Sequence, residues 1–270
     1  MVRRQLAATA VSAVFIFPLV FLVLGALRAP GEPPPTGLEV LAPQLTAAGF
    51  TRAFELVDLG RQLVNSGLVA LLAVPLSVLV ASCAGFAATR LSSRGRRIVV
   101  GASLVALLVP LSALWVPRFV VFSELGLVDT YVPLVAPALM ATSPLYVLLF
   151  FWSYSRLPRD LVDAARLEGL GPLQIWRRVA APLVRPTTFA VGALAFVFHW
   201  SNFVDPLLYL NDPDLFTAPL GLRQLKDLGA TDFPTLLAAA LVVTLPAAIA
   251  FGAVQHRFLS DLRAAGWLGR

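Results

Sequence analysis

The chain has 270 residues, of which 58% are hydrophobic and only 13% charged, and its formal net charge is +6. Soluble domains carry about a quarter charged residues, so this composition excludes a soluble globular domain. The positive charge does not indicate nucleic-acid binding, because no basic stripe with interleaved aromatic residues is present and basic residues favour the cytoplasmic loops of membrane proteins. The single cysteine, Cys83, excludes a disulfide framework and a cysteine-based metal cluster, and no metal site is predicted.

Six stretches are long and apolar enough to cross a bilayer, which takes roughly 20 helical residues. Backbone groups must be hydrogen-bonded inside lipid, so each stretch is expected to be a helix, with its internal prolines tolerated as kinks. The sequence therefore predicts an all-α integral membrane protein, with residues 1–270 forming one transmembrane domain. The predicted spans are residues 5–27, 63–88, 98–122, 131–152, 187–210 and 233–254.

The first stretch has a second interpretation, a cleaved signal peptide that begins with Arg3 and Arg4. Its apolar run is longer than the usual core of about 7–15 residues, and no clean cleavage site of small residues follows it. A retained membrane span is therefore predicted.

The orientation follows from the distribution of arginine and lysine between the two sides. Most of these residues fall near the N-terminus, between the second and third spans, between the fourth and fifth spans, and after the sixth. Both termini are therefore predicted to be cytoplasmic.

The cytoplasmic segment 153–185 is too long for a simple connector and too regular for disorder. Pro158 suits a first helical turn, so a helix is predicted over 159–168 with Gly169 as its stop. A second helix is predicted over 173–181, ended by Pro182. The small residues Ala164 and Ala165 would let another protein approach the first helix closely, but the arginine-rich segment equally fits an interfacial helix on lipid headgroups.

The spacing within this segment resembles the cytoplasmic signature of permeases of ATP-binding-cassette (ABC) importers. The family pattern is Glu-Ala-Ala, three residues, Gly, nine residues, Ile-x-Leu-Pro. Here Asp163-Ala164-Ala165 precedes Gly169, and Val179-Ala180-Ala181-Pro182 follows nine residues later. Asp163, Val179 and Ala181 depart from the pattern, and Asp163 keeps the negative charge on a shorter side chain.

Two further elements resemble carbohydrate-type permeases. Residues 125–131, Leu-Gly-Leu-Val-Asp-Thr-Tyr, are similar to their short outer turn. Trp200-Ser-Asn-Phe203 followed by Pro206-Leu207 is similar to their Trp-Asn-Asp-Phe…Pro-Leu element. The chain is thereby identified as resembling the maltose-type second permease subunit of a binding-protein-dependent importer.

This resemblance implies a transport subunit of a bacterial cell membrane that pairs with a second permease subunit, an ABC ATPase dimer and an extracytoplasmic solute-binding protein. ATP and Mg²⁺ would be bound by the partner ATPase, with no cofactor in this chain. The one lysine, Lys226, does not lie in a Gly-x4-Gly-Lys-Ser/Thr loop, so no ATPase site is predicted here. The residues that the resemblance assigns to ATPase coupling are Asp163, Ala164, Ala165, Glu168, Gly169, Val179 and Pro182.

Polar and aromatic residues inside the fifth predicted span are candidates for the path of a sugar or sugar-like solute, because sugars present apolar ring faces and hydroxyl groups. They are His199, Trp200, Asn202 and Asp205. The alternative is that Trp200 packs at a helix interface and that Asp205 is near water. Arg118 is expected to extend outward to the membrane surface. A saccharide, a polyol and a glycerol phosphate ester all remain open as the solute.

The two rival classes are a polytopic membrane enzyme, such as a lipid-phosphate transferase or an intramembrane protease, and a secondary transporter. A lipid-phosphate transferase would need paired aspartates downstream of Asp163-Ala-Ala-Arg166, and no acidic residue lies between Glu168 and Asp205. An intramembrane protease would need a Ser–His or paired-Asp arrangement, and a secondary transporter would show internal repeats or interrupted helices with ionisable residues at mid-depth. Neither pattern is evident in the sequence.

Overall fold

The computed structural model describes residues 2–33, 44–140, 143–228 and 232–264, and the regular structure in these ranges is helical. The α-helices are α1 Val2–Ala26, α2 Ala48–Leu56, α3 Leu59–Arg90, α4 Ser93–Leu107, α5 Trp115–Glu124, α6 Val132–Val135, α7 Pro144–Ser155, α8 Arg159–Leu167, α9 Pro172–Ile175, α10 Ala181–Leu183, α11 Arg185–Trp200, α12 Val204–Tyr209, α13 Ala218–Asp227 and α14 Phe233–Ala264. Short 3-10 turns precede α5, follow α6 and precede α13.

Within the described ranges, three stretches are long and apolar enough to cross a membrane as they stand: Leu59–Arg90, Val132–Ser155 and Phe233–Ala253. Two bent helix pairs raise the number to five if each pair is one span, and Val11–Ala26 is a shorter apolar helix. The predicted fourth span includes residues 141 and 142, which lie outside the described ranges. The all-helical, membrane-spanning architecture is confirmed.

The third predicted span, 98–122, is not the single helix that was expected. Helix α4 ends at Leu107, a 3-10 turn covers Leu111–Leu114, and the two arms meet at 93°. Pro110 is the physical cause, because proline has no N–H to donate and restricts the residue before it to extended backbone. This chain therefore contains interrupted helices. Their absence from the sequence pattern had been an argument against a secondary transporter, and that argument was wrong.

The fifth predicted span, 187–210, is divided as well. Helix α11 ends at Trp200, and the short helix α12 begins at Val204. At the other end, Pro172–Leu183 meets Arg185–Trp200 at 85°, so the chain turns sharply from the segment before Val184 into the span. The predicted fifth span therefore bends at both ends, and Asp205 lies on the short helix α12 and not on α11.

The chain divides into two compact units. The first comprises residues 1–65 and 216–248, and its apolar core joins α2, the start of α3, α13 and α14. Within this unit Asp232, just before α14, accepts hydrogen bonds from the backbone N–H groups of Gly31 (3.0 Å) and Thr235 (3.3 Å) and pairs with Arg52 (3.0 Å). Burial by itself would raise the pKa of Asp232, but the hydrogen bonds from Thr235 and Gly31 and the charge of Arg52 lower it. These contacts attach α2 and the chain after α1 to the start of α14.

The second unit comprises residues 66–215 and 249–270, and its core gathers α3, α7, the segment 159–184 and α11. Helices α3 and α7 approach closely at Gly85. A Cβ atom added there would lie 2.6 Å from the Cβ of Phe150 and 2.8 Å from the backbone nitrogen of Phe151. Small residues allow such close approach between membrane helices, so Gly85 fixes the distance between these two.

The turn between α5 and α6 is fastened to the end of α12 by Asp129. Its backbone N–H donates to Tyr209 (2.7 Å), and its carboxylate accepts from the N–H groups of Asn211 (2.9 Å) and Asp212 (3.0 Å). Asp129 has a φ of 64°, in the left-handed region. Aspartate and asparagine tolerate that region better than other side chains.

We expect Asp129→Ala to destabilise this turn, because it removes both hydrogen bonds and the left-handed conformation costs alanine about 1–2 kcal/mol. Hydrogen bonds from Asp212 and Asn211 hold the pKa of Asp129 below its usual value. The stabilisation by the carboxylate is therefore complete above about pH 4 and is lost as the pH falls through the lowered pKa. Thermal unfolding across pH 2–7 tests this, with Asp129→Asn, which keeps an acceptor oxygen, as control. Equal acid sensitivity of wild type and Asp129→Asn would contradict the assignment.

Candidate functional site

Helix α8 is amphipathic and lies with one side against the core of its unit. Val162 and Ala165, three residues apart and therefore on one side of the helix, are buried in that core. The helix is closed by a Schellman motif, in which the N–H of Leu170 donates to Ala165 (3.1 Å) and the N–H of Gly169 donates to Arg166 (2.9 Å). Gly169 has a φ of 83°, as this closure requires. The predicted stop at Gly169 is confirmed.

The opposite side of α8 is exposed. It carries Asp163, which forms an ion pair with Arg166 (3.2 Å), and it carries Ala164. At its end, the side chain of Leu167 is 90% exposed. The expectation that Ala164 and Ala165 both face a partner is wrong for Ala165, because the helical period turns it inward with Val162. The side of α8 that carries Asp163, Ala164 and Leu167 is therefore left exposed by the part of the chain that the structure describes.

The second half of the segment differs from the predicted helix 173–181. It consists of α9, a π-helical turn Trp176–Ala180 and α10. The residues that hold it against the core are Ile175, Ala180 and Val184, all buried, with Val179 partly buried. Pro182, predicted to end the second helix, is exposed and lies inside α10. Glu168 is the exposed C-cap of α8.

A hydrogen-bonded cluster of three side chains connects this segment to two helices. The indole N–H of Trp176 lies 3.1 Å from Ser82 Oγ in α3 and 3.2 Å from the Tyr154 hydroxyl in α7. Ser82 and Tyr154 are themselves 2.7 Å apart, and Phe86 and Phe150 contact the Tyr154 ring. The segment is thereby joined to α3 and α7 by hydrogen bonds as well as by apolar packing.

We expect Trp176→Phe to lower stability by about 1 kcal/mol, because Ser82 and Tyr154 still bond to each other after the donor is lost. In an importer of the kind that the sequence resembles, the number of solute molecules transported per ATP should fall more clearly than stability, since the segment loses its directional contact with the two helices. Thermal melting and transport assays on the assembled complex measure the two effects. Trp152→Phe, at an exposed tryptophan of α7, is the matched control. Unchanged coupling in Trp176→Phe would contradict a mechanical role for this cluster.

The structure places Asn202 and Asp205 in one polar cluster with Arg118. Asn202 Nδ2 donates to Asp205 Oδ2 (2.8 Å), and the N–H of Asp205 donates to Asn202 Oδ1 (3.2 Å). Arg118 Nη1 is 3.5 Å from Asp205 Oδ1, and its Nη2 donates to the carbonyl of Pro133 (3.3 Å). The expectation that Arg118 simply extends outward is therefore wrong: it joins α5 to α6 and α12.

His199 and Trp200, the other two candidates, are buried at the end of α11. The Trp200 ring stacks on Phe196, with centroids 5.5 Å apart. His199 Nε2 is 3.4 Å from Ser77 Oγ in α3. The four candidates thus divide between the polar cluster around Asp205 and the end of α11, where His199 contacts Ser77.

Sequence reasoning missed several residues of these sites. The cluster of Trp176, Ser82 and Tyr154 and the contact of His199 with Ser77 join residues 22 to 122 positions apart. No local sequence pattern predicts contacts between residues so far apart in the chain. The signal for Arg118 was available, because an arginine and an aspartate inside neighbouring spans are expected to pair rather than remain alone in lipid.

Comparison with known proteins places the chain in a family. The family model described as "Binding-protein-dependent transport system inner membrane component" matches residues 73–263. The chain is 31% identical over 257 residues to the arabinooligosaccharides transport system permease protein AraQ of Halalkalibacterium halodurans, covering 94% of this chain and 91% of that protein. It is 29% identical over 266 residues to the sulfoquinovosyl glycerol transport system permease protein SmoH of Agrobacterium fabrum, covering 98% and 93%.

A solved structure shares the fold. It is the crystal structure of a bacterial ABC transporter involved in the import of the acidic polysaccharide alginate, with a TM-score of 0.76, 16% identity, and coverage of 94% of this chain and 95% of the other. The family model covers well over half of the chain, and one relative exceeds 30% identity across nearly its whole length. The chain therefore belongs to the family of inner-membrane permease components of binding-protein-dependent ABC importers.

Proposed function

We propose that this chain is the second permease subunit of a sugar importer and that α8 is the element on which the ATPase acts. The observation that carries the proposal is the geometry of α8: Val162 and Ala165 fix one side to the core, while Asp163, Ala164 and Leu167 stand free on the other. A partner that covers this side of α8 would bury the exposed Leu167 side chain, and burial of apolar surface is favourable. The coupling set is Asp163, Ala164, Ala165, Glu168, Gly169, Val179 and Pro182, with Ala165 acting from the inner side.

We further propose six spans with both termini in the cytoplasm of a bacterial cell, in its inner membrane. The excess of arginine near the N-terminus and in the segment 153–185 supports this orientation. Under this topology, the bent pair α4–α5 is one interrupted span, and α11 with α12 is another. The first span would be α1, and the whole chain would act as one permease domain.

The partners of the assembled importer would be a second permease, an ABC ATPase dimer and a solute-binding protein. ATP and Mg²⁺ would be bound by the ATPase, and this chain would hydrolyse nothing itself. Closure of the ATPase dimer would displace α8, and the contacts of Trp176 with α3 and α7 would carry the displacement into the spans. Such coupling requires contacts that differ between two states of the protein.

The solute is proposed to be a saccharide. The relative from Halalkalibacterium halodurans is named for arabinooligosaccharides, and the one from Agrobacterium fabrum for sulfoquinovosyl glycerol. Both are sugar derivatives, which supports a hydroxyl-rich solute for this chain. The candidates for the solute path remain His199, Trp200, Asn202 and Asp205. Asn202 already bonds to Asp205, and Asp205 pairs with Arg118.

The test is co-expression of the chain with the transport genes next to its own, followed by purification through a tag on this chain. We expect a second permease and an ATPase to be recovered with it. Proteoliposomes containing the complex and the binding protein should take up a saccharide only when ATP is enclosed. A wild-type chain that is folded but purifies alone would overturn the proposal and favour a membrane enzyme or a secondary transporter.

A further inference from the structure

A cavity of about 220 Å³ lies in the second unit, next to the break between α4 and α5. Its polar lining residues are Ser77, Ser143, Tyr146 and His199, and Phe198 adds an aromatic ring. Each of these residues is near the middle of its predicted span, so the cavity lies near mid-depth in the proposed topology. Interrupted helices at mid-depth are where transport proteins bind solutes, because non-helical backbone in lipid is tolerated only where it lines a cavity or is covered by protein.

One group in this lining has no partner within the described part of the chain. His199 is 8% exposed, and its Nδ1 atom is buried without a hydrogen bond, while Nε2 is near Ser77 Oγ. Leaving a buried polar atom unsatisfied costs about 1–3 kcal/mol, so the imidazole gains if the ring turns Nδ1 toward a hydrogen-bonding group in the cavity. A hydroxyl group can hydrogen-bond to Nδ1 of His199 in either tautomer of the ring, because a hydroxyl both donates and accepts.

The charge of the lining restricts the class of ligand. The cavity is lined by serine, alanine, leucine, valine, proline, tyrosine, phenylalanine and histidine, and no arginine, lysine, aspartate or glutamate is among them. An anionic group, such as a sulfonate, a phosphate or a uronate, would find no cation to pair with at this depth, which is costly. Hydroxyl groups can bond to His199, Ser77 and Tyr146, and Phe198 offers an apolar face.

The volume of the cavity restricts the size of the ligand. Sites for drug-sized ligands occupy roughly 300–1,000 Å³, so this cavity is large enough for only part of a larger solute, such as one sugar ring. Resting on the function proposed above, we propose that this cavity is a solute-contact subsite belonging to this subunit, which takes one ring of a neutral, hydroxyl-rich solute. His199 and Ser77 hydrogen-bond the solute, and Phe198 packs against its ring.

The test uses the complex in proteoliposomes with three probes: arabinotriose and lactose, which are neutral, and sn-glycerol 3-phosphate, which is anionic. We expect ATP-dependent uptake of a neutral probe by the wild type. His199→Ala and Ser77→Ala should each weaken solute binding about tenfold, the effect of losing about 1.4 kcal/mol, and should thereby lower the number of solute molecules taken up per ATP. His199→Gln, which keeps hydrogen-bonding groups, should recover part of this ratio.

Ser201→Ala is the matched control, because Ser201 is on the same helical end but is exposed and donates to its own helix at Val197.

An equal fall of uptake and ATP hydrolysis in the His199 and Ser77 variants would indicate a structural role and overturn the subsite. Wild-type ratios in these variants would overturn it as well. Preference of the wild type for the anionic probe overturns the neutral class. Lack of uptake of all three probes by an assembled wild-type complex overturns the subsite while the recovered partners still support the importer.

Discussion

Replacing Gly85 by alanine is expected to lower the free energy of unfolding by about 1–3 kcal/mol, or to prevent folding altogether. The added methyl group would lie 2.6 Å from Phe150 Cβ and 2.8 Å from the backbone nitrogen of Phe151. Neither atom is at the free end of a flexible side chain, so α3 and α7 must move apart. Thermal unfolding in detergent, followed by size-exclusion chromatography, measures the loss.

The control is Gly67→Ala in the same helix, where an added Cβ would contact nothing within 4 Å. Alanine is the better helix former by about 1 kcal/mol, so this variant should be unchanged or slightly more stable. Equal melting temperatures for the two variants would contradict the close approach of α3 and α7.

Asp205→Ala is expected to cost up to about 3 kcal/mol, the lower end of the range for removing one partner of a buried ion pair. The side chains of Arg118 and Asp205 are only 24% and 12% exposed, so Arg118 would keep its charge with a backbone carbonyl as its remaining contact. Asn202 would also lose its acceptor on Asp205. Unfolding of Asp205→Ala and of Arg118→Met in detergent measures the stability lost when each charge is removed.

The double variant Arg118→Met/Asp205→Ala tests the pairing itself. If the two charges interact, the double variant should be more stable than the sum of the single losses predicts. The exposed ion pair of Arg223 and Asp227 is the control, because such pairs contribute little. Strict additivity at Arg118 and Asp205 would show that their proximity does not stabilise the fold.

The helices were predictable from the sequence because they depend on local properties. Long apolar stretches must be helical in lipid, so α3 and α14 were expected, and Pro158 and Gly169 set the limits of α8. The signature around Asp163 marked the segment that contains α8, since its spacing survives three substitutions. These features need no knowledge of what packs against them.

The bends and the burial pattern could not be predicted in the same way. Prolines occur in several spans, yet α3 continues through Pro75 while the α4–α5 pair is interrupted at Pro110. Which proline breaks a helix depends on whether neighbouring groups satisfy the freed carbonyl. The inward side of Ala165 and the pairing of Arg118 with Asp205 depend likewise on the arrangement of helices in space.

The exposed side of α8 is the proposed binding surface of the ATPase. The most direct test is whether the ATPase is still recovered when the complex is purified through a tag on the Leu167→Asp variant. The Leu167 side chain is 90% exposed, so the substitution should leave the fold intact. Gly169→Asp places a charge at the end of the same helix and also strains its closure, because Gly169 has a φ of 83°. Leu125→Asp, at an exposed leucine between α5 and α6, is the control. We predict that Leu167→Asp and Gly169→Asp retain the second permease but lose the ATPase, whereas Leu125→Asp retains both. Full recovery of the ATPase with folded Leu167→Asp would contradict the claim.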